Sequence, residues 1–256
     1  MNNKLSIITV VKNNLKGLER TFESIEAFSS KSVEWIVVDG NSNDSTIEFL
    51  QSVPMQNFRF ISEIDSGMYD AMNKGILLSS GEYLLFLNAG DLIREPLDSV
   101  LNRLEGSDLI FFNIEKVDLN LNKVAWELPA NFLQKLKSKP IVPHQSTLIK
   151  REIFHKYGLY DTSYRYLGDY DFFCRILIDD SRISTKLFLD LSISIFVLDG
   201  VTADWRSSIK ILKEIVRVQK TYFKNVDPFT YILHVSKYLT SFLLPPSYLA
   251  YIRRFI

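Results

Sequence analysis

Four short runs of β-branched and aromatic residues, LSIITVV (5–11), VEWIVVD (33–39), FRFIS (58–62) and YLLFLN (83–88), alternate with helical patterns at 16–29, 44–53 and 69–79. Each run is apolar at consecutive positions, as a strand covered on both faces is, rather than alternating as a half-wet strand does. Strands separated by helices pair in parallel, because a parallel connection needs a crossover long enough to hold one. The expectation is an α/β/α sandwich around a mostly parallel central sheet. At 256 residues the chain can hold one such domain and an appendage. Ligands of these sheets sit beyond the carboxyl ends of the strands, so the residues ending each run are the first to weigh for function.

The second run ends on Asp39 beside Gly40. An acid at a strand's carboxyl edge, next to a turn too small to block the backbone, is placed for a ligand, though the same pair also makes an ordinary turn. Asp44 or Ser45 is set to cap the next helix, with Glu48 completing a capping box from Ser45. The first run ends on a second polar turn, Lys12-Asn13-Asn14, at the same end of the sheet. Met68, Met72 and Ile76 fall four apart and share the helix face toward the sheet. Asp70 and Lys74 share another face, either as an i,i+4 pair or, with Asp65-Ser66-Gly67 ahead of them, beside a helix start that accepts phosphate. The fourth run passes directly into Asn88-Ala89-Gly90-Asp91. Its small residues let an anion and a cation approach the backbone, and Asp91 is the candidate ligand for Mg²⁺ or Mn²⁺, ions that bridge a carboxylate to substrate phosphates.

Lys plus Arg and Asp plus Glu number 30 each, which argues against a nucleic-acid partner. One cysteine, Cys174, excludes an internal disulfide and fits a reducing cytoplasm. The apolar stretch at the N-terminus is short for a secretory signal, and no run reaches the roughly 18 apolar residues of a spanning helix. A cytoplasmic protein is expected, soluble or peripheral on the inner face of the cytoplasmic membrane.

Beyond residue 107 the pattern is mixed. Residues 108–128 read as a hairpin or meander turning at Asn120–Asn122, followed by helices near 130–138, 150–157 and 169–179. Pro140 and Pro143 restrict the chain before His144 and Gln145. Trp126, Tyr164, Tyr166 and Trp205 read as core rather than as rings that stack on a ligand. A boundary is set at 204: residues 1–204 form the main domain, and 205–256 read as amphipathic helices broken at Asp227-Pro228 and Pro245-Pro246. That segment suits an anionic leaflet, a cap packed on the domain, or a dimer surface.

SIITVVKNN, WIVVDGNSNDST, DSGMYDAMNKG and LNAGD, in this order and spacing, resemble the family 2 glycosyltransferases of the GT-A fold. The likeness is to the bacterial branch that builds surface polysaccharides of the capsule, O-antigen and colanic-acid types, and it covers about residues 4–200. It implies a Rossmann-like GT-A domain that inverts configuration while moving a hexosyl or N-acetylhexosaminyl group. The implied donor is a nucleotide-diphosphate sugar, uridine-linked, and the implied acceptor a saccharide or polyprenyl-linked saccharide.

The roles implied by the resemblance fall on particular positions. Asp39 binds the nucleotide base, with Thr9, Val10 and Val11 framing it, Asn13 and Asp65 on the donor side, and Lys74 near the diphosphate. Asn88, Ala89, Gly90 and Asp91 occupy the place of the D-x-D element, with Asn88 and Gly90 where acids are often found. A metal held there relies on Asp91, the diphosphate and water. Asp169, at the head of its helix, is the general base; its type also suits a plain N-cap, and Gly168 replaces the Glu that often precedes it. His144 and Gln145 line the acceptor side as binding residues. Other readings are a nucleotide-sugar-binding module without turnover and a nucleotidyltransferase, which would carry a glycine-rich basic loop where VVKNNLKG stands. A processive synthase is disfavoured by the missing spanning helices and Q-x-x-R-W element. Homodimerisation is left open.

Overall fold

The computed structural model describes residues 4–28, 30–104, 106–118, 122–124, 128–179, 182–197 and 207–243. The first half builds as the periodicity predicts: β1 (Leu5–Val11), α1 (Leu15–Phe28), β2 (Val33–Asp39), α2 (Thr46–Ser52), β3 (Phe58–Ser62), α3 (Met68–Leu78) and β4 (Tyr83–Phe86). There follow β5 (Leu92–Ile93), α4 (Leu97–Leu101), β6 (Leu109–Val117), β7 (Lys123–Val124), α5 (Phe132–Lys135), a 3₁₀ turn (His144–Ser146), β8 (Thr147–Lys150) and α6 (Arg151–Tyr157). The chain continues through α7 (Gly168–Asp179), β9 (Thr185–Val197), α8 (Ser208–Phe223) and α9 (Pro228–Leu243).

One mixed sheet runs β3-β2-β1-β4-β8-β6-β9-β5, with β7 paired to β6. Its β3-β2-β1-β4 half is parallel, whereas β8 runs antiparallel to both β4 and β6. β1, β2 and β4 are buried on both faces, as their unbroken apolar runs require. β3 differs: it is the sheet's edge and stays partly exposed. β6 and β7 form the expected hairpin, with Lys116 opposite Val124; Asn120 of its turn lies outside the described residues, as do Trp126, Trp205, the 204 boundary and Pro245-Pro246.

The two faces of the sheet carry separate cores. One packs α1, α2 and α4 against Ile7, Trp35 and Leu85. The other joins Tyr69, Met72 and Ile76 of α3 to Phe172 and Phe173 of α7. Ile211, Ile215 and Val218 of α8 belong to this second core, and Tyr164 and Tyr166 are buried in it. Burying a side chain of this size contributes about 1.5–3 kcal/mol, so α8 is held to the domain by apolar packing. No helix among the described residues is long and apolar enough to cross a membrane.

Candidate active site

Three strand ends meet at one edge and are tied by side chains from their turns. Asn13 sits in a left-handed conformation (φ 52°), which asparagine tolerates better than most residues. Its N–H donates to Ser42 Oγ at 2.8 Å, and its Oδ1 accepts the Asn43 N–H at 2.9 Å. Asn14 Nδ2 donates to the Ala89 carbonyl (3.1 Å), binding the β1 turn to the β4 turn. Thr21 of α1 completes that second tie: its Oγ accepts the Gly90 N–H (2.9 Å) and donates to the Asp91 carbonyl (2.8 Å). The helix start beside these turns departs from the expected capping box. Ser45 makes no side-chain cap; Asp44 instead accepts the Thr46 N–H on Oδ1 and the Leu15 N–H on Oδ2, serving two helices at once.

Asp39 is fully buried. Its Oδ1 accepts Ser42 Oγ, and its Oδ2 accepts the Ser42 N–H (3.0 Å) and Ser62 Oγ (2.6 Å), so the carboxylate organises the turn beyond β2. Gly40 follows because a Cβ there would stand 2.3 Å from Asp65 Oδ2, which places Asp65 directly over this turn. Thr9 is also fully buried, its Oγ accepting Trp35 Nε1–H at 2.9 Å, while the Val10 and Val11 carbonyls accept the Ala89 and Gly40 N–H groups. These residues pack the strand ends beneath the turns from within. Lys74 braces the segment before α3, with Nζ 2.9 Å from both Glu63 Oε1 and the Ile64 carbonyl and 3.7 Å from Asp70 Oδ2. Those contacts, led by Glu63, raise its pKa.

Across the edge, α7 and the 3₁₀ turn bring two sequence-predicted residues together. His144 Nδ1 lies 2.9 Å from Asp169 Oδ2. Tyr69 donates its hydroxyl to Asp169 Oδ1 (3.0 Å) and is also 2.9 Å from the Tyr166 carbonyl; the Tyr170 N–H reaches the same Oδ1 at 2.9 Å. Burial, and after it the charge of Asp169, holds the Tyr69 hydroxyl protonated well above its ordinary range, so Tyr69 stays a donor. Asp171 faces elsewhere, bonding Arg175 (3.3 Å) and Tyr222 (3.1 Å) near α8, and burial raises its pKa. The other ring nitrogen, His144 Nε2, lies 3.5 Å from Asn88 Nδ2 of the turn after β4. Gln145 is buried beside His144.

The family model for glycosyl transferase family 2 matches residues 6–158. The chain belongs to this family. A PGL/p-HBAD biosynthesis glycosyltransferase of Mycobacterium bovis is 32% identical over 187 residues, 70% of this chain and 72% of that protein. An uncharacterized glycosyltransferase of Mycobacterium tuberculosis is 33% identical over 193 residues, 72% and 73% of the two chains. Among solved structures, residues 1–349 of S. aureus TarS superpose with a TM-score of 0.67 at 16% identity, covering 92% of this chain and 70% of that one. TarS has been solved with UDP and with UDP-GlcNAc. The mannosyltransferase PcManGT from Pyrobaculum calidifontis, solved with GDP-Man and Mn²⁺, gives 0.64 at 17% identity over 93% and 70%. The fold of this family 2 glycosyltransferase is thus the GT-A fold, with a curled mixed sheet.

For a divalent cation, the fitting oxygens of this glycosyltransferase lie in the turn after β4. Asn88 Oδ1 is buried with no hydrogen-bond partner, a cost normally avoided unless a ligand answers it. Asp91 is buried three residues on, its Oδ1 accepting the Val197 N–H at 3.4 Å. No group of three or more His, Cys, Asp or Glu side chains suited to a metal is found among the described residues. Asn88 Oδ1 and Asp91 are two oxygen-bearing groups of the type Mg²⁺ or Mn²⁺ takes, ions that need only one or two protein ligands beside substrate phosphates.

Two contributors escape a reading of local pattern. Tyr69 reads as core because it shares a face with Met72 and Ile76. Glu214 of α8 accepts the N–H groups of Arg165, Tyr166 and Leu167 at 2.8–2.9 Å, fixing the approach to Asp169, yet nothing near residue 214 in the chain signals it.

Proposed function

We propose that this glycosyltransferase inverts configuration while moving a hexosyl or N-acetylhexosaminyl group. The donor is a nucleotide-diphosphate sugar, UDP-linked, and the acceptor a saccharide or polyprenyl-linked saccharide in the assembly of a bacterial surface glycan. The observation that carries the reading is the line from Asp169 through His144 to Asn88, which sets an acid–base pair against the donor-side turn. The part of the relatives in PGL/p-HBAD biosynthesis and the neighbours' nucleotide ligands support it.

In this reading the nucleotide lies over the turns of β1 and β2, framed by Thr9, Val10, Val11, Asn13, Asp39 and Asp65. The diphosphate lies along Asn88, Ala89, Gly90 and Asp91, with Lys74 behind. Asp91 and Asn88 Oδ1 would hold a divalent cation, which neutralises charge on the departing diphosphate when bound. The acceptor enters beside Gln145. Neither a carboxylate nor an imidazole is basic enough to ionise a sugar hydroxyl beforehand, so the Asp169–His144 unit receives the proton late, as the new glycosidic bond forms. Attack opposite the leaving diphosphate inverts the anomeric carbon.

α9 supports a peripheral membrane position on the cytoplasmic face, since Phe229, Ile232 and Leu239 are exposed along it. The test of the whole reading is a thermal-shift screen of sugar nucleotides with and without Mn²⁺, followed by transfer to a polyprenyl-linked saccharide and determination of the product's anomeric configuration. A donor that stabilises the fold and gives an inverted product is expected. Binding with no transfer to any acceptor, or a retained configuration, overturns it.

A further inference from the structure

β6 runs antiparallel to β8, and β8 antiparallel to β4, so the carboxyl end of β6 lies at the same edge of the sheet as the ends of β1, β2 and β4. It reaches that edge two strand spacings, about 10 Å, from β4. The Asn113 carbonyl accepts Ser146 Oγ–H at 2.9 Å, which ties the strand to the 3₁₀ turn of His144 and Gln145. Lys116 follows three residues later, about 10 Å beyond that tie. It stands opposite Phe196 of β9, with Nζ 5.9 Å from the ring centroid. Burial, and after it the charge of Lys139, pulls the pKa of Lys116 down to about 8.

Lys139 arrives from a different element. Residues 129–144 contain no Asp or Glu but three lysines, Lys135, Lys137 and Lys139, all exposed and without an ion pair among the described residues. The Ser138 carbonyl accepts Gln219 Nε2–H (2.9 Å) and Thr230 Oγ–H (2.7 Å), so Lys139 lies between the start of α9 and the approach to His144. The acids nearby are engaged elsewhere. Glu115, next to Lys116 in β6, pairs with Arg94 and Lys123, and Asp227 caps α9 by accepting the Thr230 N–H at 2.8 Å. Two like charges thus meet where the sheet edge, the 3₁₀ turn and the start of α9 adjoin. An anion placed between them relieves their repulsion, and lysine serves phosphate as a point charge.

We propose that Lys116 and Lys139 hold the phosphate or diphosphate of a polyprenyl-linked acceptor, beside the 3₁₀ turn where its sugar reaches Gln145. The inference rests on the glycosyl-transfer reading and narrows its acceptor from saccharides in general to those carried on an anionic lipid link. A free saccharide has no charge to answer these lysines, and the donor's diphosphate has its own place at residues 88–91. The lipid chain would run along α9, whose start is fastened next to Lys139 and whose Phe229 and Ile232 are exposed.

Two measurements test the site. In detergent micelles, the enzyme is compared on a polyprenyl-diphosphate-linked saccharide and on the same saccharide as a phosphate-free alkyl glycoside. Lys116→Gln combined with Lys139→Gln is expected to raise KM for the first at least about tenfold, and to leave KM for the second and the donor KM within about twofold. Gln keeps a stem beside Phe196, and removing a charge that burial disfavours should not lower Tm. An equal rise for both acceptors, a rise in donor KM, or no change overturns the proposal. Substitutions that weaken co-sedimentation with anionic vesicles while the micellar KM stays intact assign the lysines to the leaflet, and overturn it too. The second measurement needs no turnover. With EDTA present, farnesyl diphosphate is expected to bind the wild type and Asp91→Ala alike, at least about tenfold more tightly than farnesol, and the double lysine variant is expected to lose that preference. Equal binding of the two probes by the wild type sinks the site even where transfer is robust, whereas a chain that transfers no sugar yet binds the diphosphate through these lysines refutes the transferase reading alone.

Discussion

Gly168 and Tyr69 are packed so closely that a Cβ on Gly168 would stand 2.8 Å from Tyr69 Cδ2. The ring occupies the space a side chain at 168 would take, and its hydroxyl reaches Asp169 from there. The glycine in place of an acid is thereby explained: this chain holds Asp169 with a tyrosine from α3. Gly168→Ala is expected to displace either the ring or the start of α7, costing about 1–3 kcal/mol in denaturant unfolding. Tyr69→Phe keeps the packing but removes a hydrogen bond to Asp169, and should cost about 1 kcal/mol of stability and a larger share of kcat than of donor affinity. Equal loss in kcat and donor binding would place Tyr69 in the donor site instead.

Asp91→Ala should weaken metal-dependent donor binding while leaving metal-free nucleotide binding close to the wild type. Because the carboxylate also accepts the Val197 N–H, some loss of stability is expected with it, about 1–3 kcal/mol. Asn88→Asp restores an acid at the orphaned amide position and should lower the Mn²⁺ concentration that half-saturates transfer. An unchanged Mn²⁺ titration in both variants would remove this turn as the metal's seat.

Glu34 lies at the opposite end of the sheet and carries a pH signature. It is buried, and desolvation alone would raise its pKa, but hydrogen bonds from Ser6, Ser80 and Arg59 outweigh burial and leave it below its ordinary value of 4.5. Since the folded value is depressed, the stabilisation is complete above pH 4.5 and is lost as pH falls through the lower folded value. Glu34→Gln should therefore lower Tm at neutral pH, and the gap from wild type should narrow below about pH 4. A gap that is constant with pH would mean the side chain acts through shape rather than charge.

The parallel half of the fold is legible because its signals are local. β1, β2 and β4 are covered on both faces and so read as unbroken apolar runs, and the ends of those runs bring Asn13, Asp39 and residues 88–91 to one edge in chain order. What the pattern misses is set by distant partners. β3 has an apolar run but only one neighbour, so it is half exposed. Asp44 caps α2 from a position that also serves α1, a tie made only when the first two turns meet. The pairing of His144 with Asp169, and of both with Asn88 and Tyr69, depends on how β8 turns back antiparallel beside β4. No periodicity records that.

Glu214 gives a test of how far the site's support extends. One carboxylate accepts three consecutive N–H groups from the segment entering α7, although it belongs to α8. Glu214→Ala leaves those donors unanswered and should cost about 1–3 kcal/mol. It should also lower kcat severalfold with little change in the donor KM, because the segment positions Asp169 and not the nucleotide. Glu214→Gln, which keeps one of the two acceptor oxygens, should fall between. A donor KM that rises with kcat intact would show that α8 supports a different part of the site.

α9 carries two faces with opposite fates. Thr230 is buried, donating to the Ser138 carbonyl at 2.7 Å, so one side of the helix is fastened to the domain. On the other side Phe229, Ile232 and Leu239 recur at helical spacing and are 73%, 65% and 56% exposed. The helix sequence contains no Asp or Glu to repel an anionic surface, and Lys220 and Lys224 precede it at the end of α8. Such a stripe costs the free protein solubility and gains apolar contact at a lipid interface. The wild type should co-sediment with vesicles rich in anionic lipid, less so at high salt. Phe229→Glu with Ile232→Glu, both on the exposed side, should reduce that binding at least about tenfold without lowering Tm. If the wild type ignores vesicles and instead elutes as a dimer that the double substitution splits, the stripe belongs to a second copy of the chain.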